Sequence, residues 1–237
     1  MSRILLIHGA WHNGKCWDAV IDLLEKAGYD AFALTLPGNE VDGKKDVTYD
    51  DYVNHVVDVI NSQADDVIVV GHSSAGHVIQ MAVPKVKDKV KKIIFNNAWI
   101  LPDGQSQFDL VPEEIKNGMI EAAKASGENS IPVDLGFLRG QLATEADDET
   151  FEKLVDILVS QPLTMMETPI DAESLASLHM PKVMLYCNKD ISLPREVYVG
   201  MFVALDSIKI VEVECDHEGL FTNPEEFTKG LIKCIEL

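Results

Sequence analysis

A serine with small neighbours stands out among the residues that could do chemistry. Ser73 lies between Gly71 and Ala75, directly after an apolar run at residues 67–70 and before a stretch with helical periodicity. A serine in a sharp strand-to-helix turn needs neighbours without bulk, and the turn exposes its Oγ while leaving the next backbone N–H free. The bare pattern arises by chance in about one chain of this length in six, so its context carries the interpretation. We expect Ser73 to be a nucleophile.

The adjacent Ser74 is the alternative nucleophile. Centring the motif on Ser74 would place His72 where the first small residue belongs. The motif therefore favours Ser73 as the attacking residue and leaves Ser74 to supply a backbone N–H.

A serine nucleophile needs a base, and the base needs an acid that orients it. Two later apolar runs, at residues 183–186 and 209–213, lead directly to Asp190 and His217. The C-terminal ends of parallel strands meet at one edge of a sheet, where open sheets carry their sites. In α/β hydrolases the chain order is serine, acid, histidine. We therefore predict that Asp190 and His217 complete a triad with Ser73.

Other acids and histidines are weaker candidates. Asp216 directly precedes His217, but adjacent residues of one loop usually point in different directions, so Asp190 is the better acid. His72 points away from Ser73 by alternation. A packing or surface role is expected for the histidines that lie within predicted helices or near the end of residues 102–178, namely His55, His77 and His179.

The loop after the first apolar run suits an oxyanion hole. Gly9 and Ala10 follow His8 there. A developing alkoxide needs two preorganised donors, and in this architecture they are the N–H after the nucleophile and an N–H from the first strand–helix loop. We expect the backbone N–H groups of Ala10 and Ser74 to be these donors. Loss of one such donor typically costs ~3 kcal/mol of transition-state stabilisation.

Short apolar runs that alternate with amphipathic stretches predict the framework for these residues. Such alternation is typical of an α/β fold with a mainly parallel sheet flanked by helices. The predicted strands, about six in number, are residues 3–7, 31–34, 67–70, 92–95, 183–186 and 209–213. The predicted helices are residues 17–27, 49–63, 76–83, 195–204 and 225–235.

The alternation stops between residues 102 and 178, where the sequence is helical, acidic and interrupted by loops. Residues 112–126 and 144–158 are the helical stretches there. No fixed-period repeat or linker composition marks a domain boundary. We interpret residues 102–178 as a cap inserted into one core formed by residues 1–101 and 179–237. A chain of 237 residues can bury roughly three quarters of its unfolded surface in one core.

The chain resembles the α/β-hydrolase superfamily, in particular the branch that contains plant methyl-ester esterases and hydroxynitrile lyases, together with bacterial relatives. The matching segments are residues 6–17, 23–29, 70–73, 190–194 and 216–217, with Pro224. The resemblance covers nearly the whole chain apart from the proposed cap. It implies an α/β-hydrolase fold, a triad of Ser73, Asp190 and His217, and an oxyanion hole at Ala10 and Ser74.

Three residues depart from the pattern of that branch. The lyases resembled carry threonine at the position of Gly9 and lysine at that of Glu218, where the lysine stabilises departing cyanide. A carboxylate at Glu218 would oppose that leaving group by like-charge repulsion, which argues against lyase activity. The esterases resembled usually have methionine there, so Glu218 leaves the substrate preference open. Ala75 replaces the last glycine of the elbow.

Apolar side chains near the predicted site suit a small, mostly apolar substrate. The candidate substrate-binding residues, each also a candidate for packing between cap and sheet, are Trp11, His12, Trp99, Phe137, Met165 and Met166. We predict a serine hydrolase that cleaves a carboxylic ester or lactone through an acyl-enzyme. Two alternatives stay open: a hydroxynitrile lyase or decarboxylase-type lyase, and a ligand-binding receptor on the same fold.

Composition argues against several other functions. The chain carries 39 Asp and Glu against 20 Lys and Arg, a net charge of −19 that repels nucleic acids and anionic lipids. Its four cysteines are scattered without metal-ligand spacing, and its apolar runs are far shorter than the ~20 residues of a membrane helix. We expect a cytoplasmic enzyme with a small-molecule substrate, no metal, no cofactor, and no nucleic-acid or membrane partner. A homodimer stays open.

The acidity is concentrated in the proposed cap. Residues 102–178 carry 16 acidic and 4 basic residues, a net charge of −12, whereas the other 160 residues carry −7. This charge would lie above a site whose product is a carboxylate. We therefore expect neutral or cationic esters to be preferred over anionic ones, with a preference that weakens as salt screens the charge.

Overall fold

Six parallel strands form the central sheet of the computed structural model, which describes residues 2–203, 205 and 208–237. The strands of the described residues are β1 (Arg3–Ile7), β2 (Ala31–Leu34), β3 (Val67–His72), β4 (Val90–Asn96), β5 (Ser130–Ile131), β6 (Gln161–Pro162), β7 (Lys182–Cys187) and β8 (Ile208–Val213). The order across the main sheet is β2-β1-β3-β4-β7-β8, with every neighbouring pair parallel. The predicted α/β fold and its predicted strands are confirmed.

The sheet buries both of its faces. Successive side chains of a strand point to opposite faces, and here nearly all of them are apolar. In β1, Ile4 and Leu6 belong to one hydrophobic cluster, and Leu5 and Ile7 belong to the other. All four side chains are fully buried. The sheet must therefore be covered on both faces.

Helices supply that cover. The helices of the described residues are α1 (Asp18–Lys26), α2 (Tyr49–Asn61), α3 (Ala75–Ala82), α4 (Glu113–Ser126), α5 (Leu135–Phe137), α6 (Asp148–Val155), α7 (Thr164–Glu167), α8 (Glu173–Ala176), α9 (Arg195–Val203), α10 (Gly219–Thr222) and α11 (Pro224–Glu236). Side chains of α1 and α11 pack on the Ile4 and Leu6 face, and those of α2, α3 and α9 pack on the opposite face. None of the helices in the described part of the chain is long and apolar enough to cross a membrane.

Polar side chains set the ends of several helices. Residues Gly14–Trp17 form a 3₁₀ turn in which the Asn13 side chain accepts from the Lys15 N–H, so α1 begins at Asp18 and not at the predicted residue 17. At the start of α2, Thr48 and Asp51 form a reciprocal capping box. The predicted last residue of the helix at 195–204 lies outside the described residues.

We call residues 102–178 the cap segment. Its strands β5 and β6, which the sequence did not predict, form a separate antiparallel pair, and none of its described elements joins the main sheet. The predicted helix at residues 144–158 is shortened to α6, because the Asp147 side chain accepts from the Thr150 N–H and starts the helix there. Helix α4 ends where Gly127 adopts a φ of +75°.

The cap segment is hydrogen-bonded to the loop after β1, which we call the first loop (residues 8–14). The backbone N–H of Trp11 donates to Oε1 of Gln161 at 3.1 Å, and its indole N–H donates to the Ile131 carbonyl at 3.1 Å. The carbonyl of Trp11 accepts from the Val159 N–H at 2.8 Å. Trp11 is thereby fixed between the sheet edge and the β5–β6 pair.

Candidate active site

Ser73 occupies a sharp turn between β3 and α3. Its φ of +52° lies in the left-handed region, which is costly for a residue with a side chain. The Ser73 N–H donates to the Asn96 carbonyl at 3.1 Å, and the Ser73 carbonyl accepts from the N–H groups of Gly76 and Trp99, both at 3.0 Å. These bonds hold the strained turn in place. The Ser73 side chain stays partly exposed, while its neighbours on either side are buried.

The small residues of the motif are required by close contacts. A Cβ at Gly71 would clash with the side chain of Ile79, and a Cβ at Gly76 would clash with the Trp99 carbonyl. At Ala75, by contrast, a side chain is present and is fully buried. The strict need for glycine therefore falls on Gly71 and Gly76, and the turn accommodates Ala75.

The Ser74 hydroxyl belongs to a buried polar network. Its Oγ donates to Oε1 of Gln107 at 2.9 Å. The same amide oxygen lies 3.1 Å from Nε2 of His77, and Nδ1 of His77 lies 2.7 Å from the Tyr49 hydroxyl. With its hydroxyl committed to this network, Ser74 is poorly placed to attack a substrate, and the geometry favours Ser73.

The first loop runs directly against the nucleophile turn. A Cβ on Gly9 would lie 2.7 Å from the Cβ of Ser73, so the approach requires a glycine. Within the described chain, neither the Ala10 N–H nor the Ser74 N–H donates a hydrogen bond. Two unpaired donors on the two segments that meet at Ser73 are what an oxyanion hole needs.

A short hydrogen bond joins His217 to Asp190. Nδ1 of His217 lies 2.7 Å from Oδ2 of Asp190, and both side chains are buried. Burial alone would lower the pKa of His217, but Asp190, Glu218 and Asp216 raise it to about 9. Burial alone would raise the pKa of Asp190, but His217 and Ser192 hold it well below its usual range. The pair therefore stabilises the imidazolium form of His217.

Side chains that the sequence analysis did not single out surround Asp190. Its Oδ2 accepts from Nδ2 of Asn97 at 2.6 Å and from the Tyr198 hydroxyl at 2.8 Å. Its Oδ1 accepts from the N–H and Oγ of Ser192 at 2.8 and 2.6 Å. Burial and the Asp190 charge keep the pKa of Tyr198 well above its ordinary value, so its hydroxyl remains a donor. These bonds fix the carboxylate in the orientation that meets His217.

Asp216, the alternative acid, is engaged elsewhere. Its Oδ1 accepts from Oγ1 of Thr222 at 2.6 Å, and its Oδ2 accepts from the Glu145 N–H at 2.8 Å. It thus connects the loop of His217 to the cap segment, while Nδ1 of His217 faces Asp190. The geometry favours Asp190 as the orienting acid.

Two further histidines near the site have structural partners. Nε2 of His8 accepts from the Leu36 N–H at 3.0 Å, and burial lowers the pKa of His8 to about 3. Nδ1 of His72 lies 2.8 Å from Oδ1 of Asn96, and burial together with His217 lowers the pKa of His72 to about 3. Both rings are therefore neutral at ordinary pH.

Glu218 is buried beside the site, only 1% exposed. Its Oε2 lies 3.1 Å from Nε2 of His12 and 4.0 Å from Nε2 of His72. Burial alone would raise the pKa of Glu218, but His12, His72 and His217 lower it to about 2. The residue is therefore ionised although it is enclosed. The sequence marked Glu218 as a departure from the resembled branch, but it gave no sign that His12 would be its partner.

His72, His217 and Glu218 each offer a ligand atom, and these atoms lie within 4.8 Å of one another. The other ring nitrogen of each histidine has a partner, since Nδ1 of His217 faces Asp190 and Nδ1 of His72 faces Asn96. A metal on this group would occupy the His217 nitrogen that must exchange a proton with Ser73 in a serine mechanism, so the two interpretations exclude each other.

A cavity of about 310 Å³ lies between the first loop and the cap segment. Three predicted substrate-binding residues, Trp11, His12 and Phe137, line it. The rest of the lining, mostly apolar, comes from the cap segment: Ile115, Gly118, Met119, Ala122, Ile131, Pro132, Val133, Asp134, Leu138, Leu142 and Leu158. Such a space suits a small apolar group held next to the first loop.

The other three predicted substrate-binding residues are placed differently. Met165 is fully buried in the core cluster on one face of the sheet, and Met166 packs with Ala10 beneath the first loop. Trp99 lines a separate cavity of about 310 Å³ together with Leu101 and neighbouring residues. The structure therefore gives Trp99, Met165 and Met166 packing positions, which their apolar character suits equally well.

Comparisons with known proteins agree with this architecture. A family model described as "Alpha/beta hydrolase family" matches residues 4–229. A solved structure, described as an extracellular alpha/beta-hydrolase from a Paenibacillus species with structural and functional homology to tobacco salicylic acid binding protein 2, is 28% identical. Its TM-score is 0.92, and the match covers 99% of both chains. A carbendazim hydrolyzing esterase of a Nocardioides species is 24% identical over 98% of each chain. Methylesterase 1 of Arabidopsis thaliana is 24% identical over 98% of this chain and 95% of that protein.

Proposed function

Because the chain belongs to the alpha/beta hydrolase family, we propose that it is a serine hydrolase that cleaves a small, mostly apolar carboxylic ester or lactone through an acyl-enzyme. That it is a carboxylic ester hydrolase follows from its relatives, which are named as esterases and methylesterases. One observation carries the serine mechanism: the 2.7 Å hydrogen bond between His217 and Asp190, at the sheet edge where Ser73 is held in its strained turn.

The proposed reaction starts with His217 in its neutral form. Nε2 of His217 takes the proton from Ser73 as Oγ attacks the carbonyl carbon, and Asp190 stabilises the imidazolium that results. The imidazolium then protonates the leaving alkoxide, and an acyl-enzyme remains on Ser73. A water molecule that gives its proton to His217 attacks the acyl carbon, and the carboxylic acid leaves with the Ser73 hydroxyl restored.

Two backbone donors are proposed to stabilise the oxyanion in both steps. The N–H groups of Ala10 and Ser74 lie on the first loop and at the start of α3, the two segments in contact at Ser73. Donors fixed in place before the reaction require no reorganisation when charge develops, and this preorganisation makes them effective.

The substrate class is inferred from the cavity and the surrounding charge. The cavity beside Trp11 is lined mainly by apolar side chains, and Asp134 is the acidic residue of that lining. This combination supports a neutral or cationic ester with a small apolar group. The buried carboxylate of Glu218 beside His217 opposes the departure of cyanide, so we do not propose the lyase alternative.

A panel of neutral chromogenic esters and lactones tests the proposal, with two matched variants. Ser73→Ala should lower kcat/KM by about 10³-fold or more, because the nucleophile is lost. Ser74→Ala is the control: it keeps the backbone N–H and loses only the bond to Gln107, so activity should stay within about tenfold of wild type.

Three results would overturn the proposal. Near wild-type turnover by Ser73→Ala would remove Ser73 as the nucleophile. Loss of activity in Ser74→Ala alone would move the nucleophile to Ser74. Ligand binding without turnover of any ester by the wild-type protein would favour the receptor alternative.

We also propose a cytoplasmic location, supported by four free and buried cysteines. Fractionation of the cells that produce the protein should recover it with cytosolic enzymes. Recovery mainly from the medium would contradict the proposal and match the description of the Paenibacillus structure as extracellular.

A further inference from the structure

A buried carboxylate lies beside the candidate triad without a well-aligned hydrogen bond. Glu218 directly follows His217, and within the described residues its Oε2 has ion-pair contacts with His12 and His72 but neither oxygen accepts a well-aligned hydrogen bond. Isolating a carboxylate from water in this way costs several kcal/mol unless a positive charge accompanies it. The residue that could supply this positive charge is His12, whose Nε2 lies 3.1 Å from Oε2 of Glu218. The mechanism proposed above uses neither side chain.

Both ring nitrogens of His12 face acceptors. Nδ1 lies 2.7 Å from the Ala10 carbonyl, and Nε2 lies 3.1 Å from the Glu218 carboxylate. A neutral imidazole carries a single N–H and would turn a lone pair toward one of these two oxygens. Only the imidazolium satisfies both. Its charge neutralises that of Glu218, and a neutral pair can be enclosed where a lone charge cannot.

We propose that His12 and Glu218 form a second histidine–carboxylate ion pair, which fixes the first loop relative to His217 and places the negative end of the pair beside the His217 ring. Both are positioning residues in this scheme. One end of the pair is bonded to Ala10, whose N–H is assigned to the oxyanion hole, and the other end adjoins His217 in the chain. The catalytic consequence rests on the proposed esterase function, but the charge state of the pair does not.

The pair also bears on the charge of His217. A carboxylate oxygen of Glu218 and a ring nitrogen of His217 lie within 4.8 Å of each other. A negative charge at this distance in a buried site favours the imidazolium that forms when Ser73 loses its proton. Together with Asp190, Glu218 thus stabilises the charge that the reaction creates on His217.

The other titratable groups around the pair do not replace it. His72 is neutral, since burial keeps its pKa near 3, and its Nδ1 is paired with Asn96. Burial and the Glu218 charge raise the pKa of Cys16, which remains a thiol. Asp216 accepts its bonds from Thr222 and Glu145.

The charge state can be measured without a substrate, from the ¹⁵N chemical shifts of the imidazole nitrogens. In the wild-type protein at neutral pH we expect both nitrogens of His12 to carry protons. In Glu218→Gln one of them should lose its proton, and the titration midpoint of His217 should fall by about one pH unit. Glu214→Gln is the matched control: it removes an exposed carboxylate from the same loop and should leave both rings unchanged.

Kinetics supply the second readout. Glu218→Gln should lower the pH-independent value of kcat about tenfold while KM changes little, and the acid limb of kcat/KM should move to lower pH. His12→Asn, which keeps a donor for the Ala10 carbonyl without the charge, should also lower kcat. Because the two residues act as one unit, the double variant should lose no more activity than the poorer single variant.

If Glu218→Gln does not fold, Glu218→Met provides the same test with an apolar side chain that suits a buried position. A neutral His12 in the wild type, an unchanged His217 titration in both Glu218 variants, or single-variant losses that multiply in the double variant would each overturn the proposal. A wild-type protein without esterase activity would overturn the proposed function instead, and the ¹⁵N measurement would still decide the charge of the pair.

Discussion

His217 owes its basicity to a carboxylate that other side chains hold in place. Asp190 accepts hydrogen bonds from Asn97, Tyr198 and Ser192 in addition to its bond with His217. These donors favour the ionised carboxylate, and the fixed charge next to Nδ1 favours the imidazolium. At the scale of single residues, the candidate site is therefore a hydrogen-bonded network around Asp190 and His217, at the sheet edge where the Ser73 turn also lies.

This network predicts the pH dependence of the proposed activity. Burial favours a neutral His217, but Asp190 outweighs it and raises the pKa of His217 to about 9. Only the neutral ring can accept the proton of Ser73, so kcat/KM for a neutral ester should rise with pH up to about 9. A pH–rate profile checks this. Asp190→Asn should move the acid limb of this profile to lower pH and lower kcat by roughly 10⁴-fold.

A different profile would contradict this account of Asp190. A wild-type acid limb at or below the ordinary histidine value of 6.5 would show that Asp190 does not stabilise the charged ring.

The sequence could identify the triad candidates because each is a polar residue that follows a buried apolar run. The same signal was available for Asn97, which comes directly after β4. Tyr198 gave none, because it lies within α9 and contacts Asp190 only through the tertiary fold. The pairing of His12 with Glu218 could not be predicted from the sequence either, because periodicity does not tell which loops meet across a sheet edge.

At the scale of elements, the parallel strands were predictable because burial on both faces requires continuous apolar runs. The ends of the strands were less predictable. Strand β3 continues through Gly71 and His72, which belong to the nucleophile motif but still pair with Phe95 and Asn96 of β4. Strands β5 and β6, two residues each, are too short to show a pattern. Yet they bring Gln161 against Trp11, so the least predictable element anchors the cap segment to the first loop.

At the scale of the whole molecule, the acidity is the property from which we expect a functional consequence. The cap segment carries a net charge of −12 out of −19, and its Asp134 lines the cavity beside Trp11. A negative potential around that cavity would lower the local concentration of anionic substrates and leave neutral ones unaffected.

We therefore expect a neutral ester to be hydrolysed faster than a matched ester that carries a carboxylate remote from the reacting bond. The ratio of their kcat/KM values should be largest at low ionic strength and should shrink as salt is added, because the Debye length falls to about 8 Å at 0.15 M. Equal values for the two esters at low salt would show that the acidity serves only solubility.

Covalent trapping of Ser73 tests the central claim most directly. A neutral fluorophosphonate should react with the wild-type protein by displacement of fluoride, and peptide mass spectrometry should locate one adduct per chain on Oγ of Ser73. Ser74→Ala should be labelled at a rate within about tenfold of wild type, and Ser73→Ala should not be labelled. An adduct on Ser74, or labelling of Ser73→Ala at the wild-type rate, would contradict the assignment of Ser73 as the nucleophile.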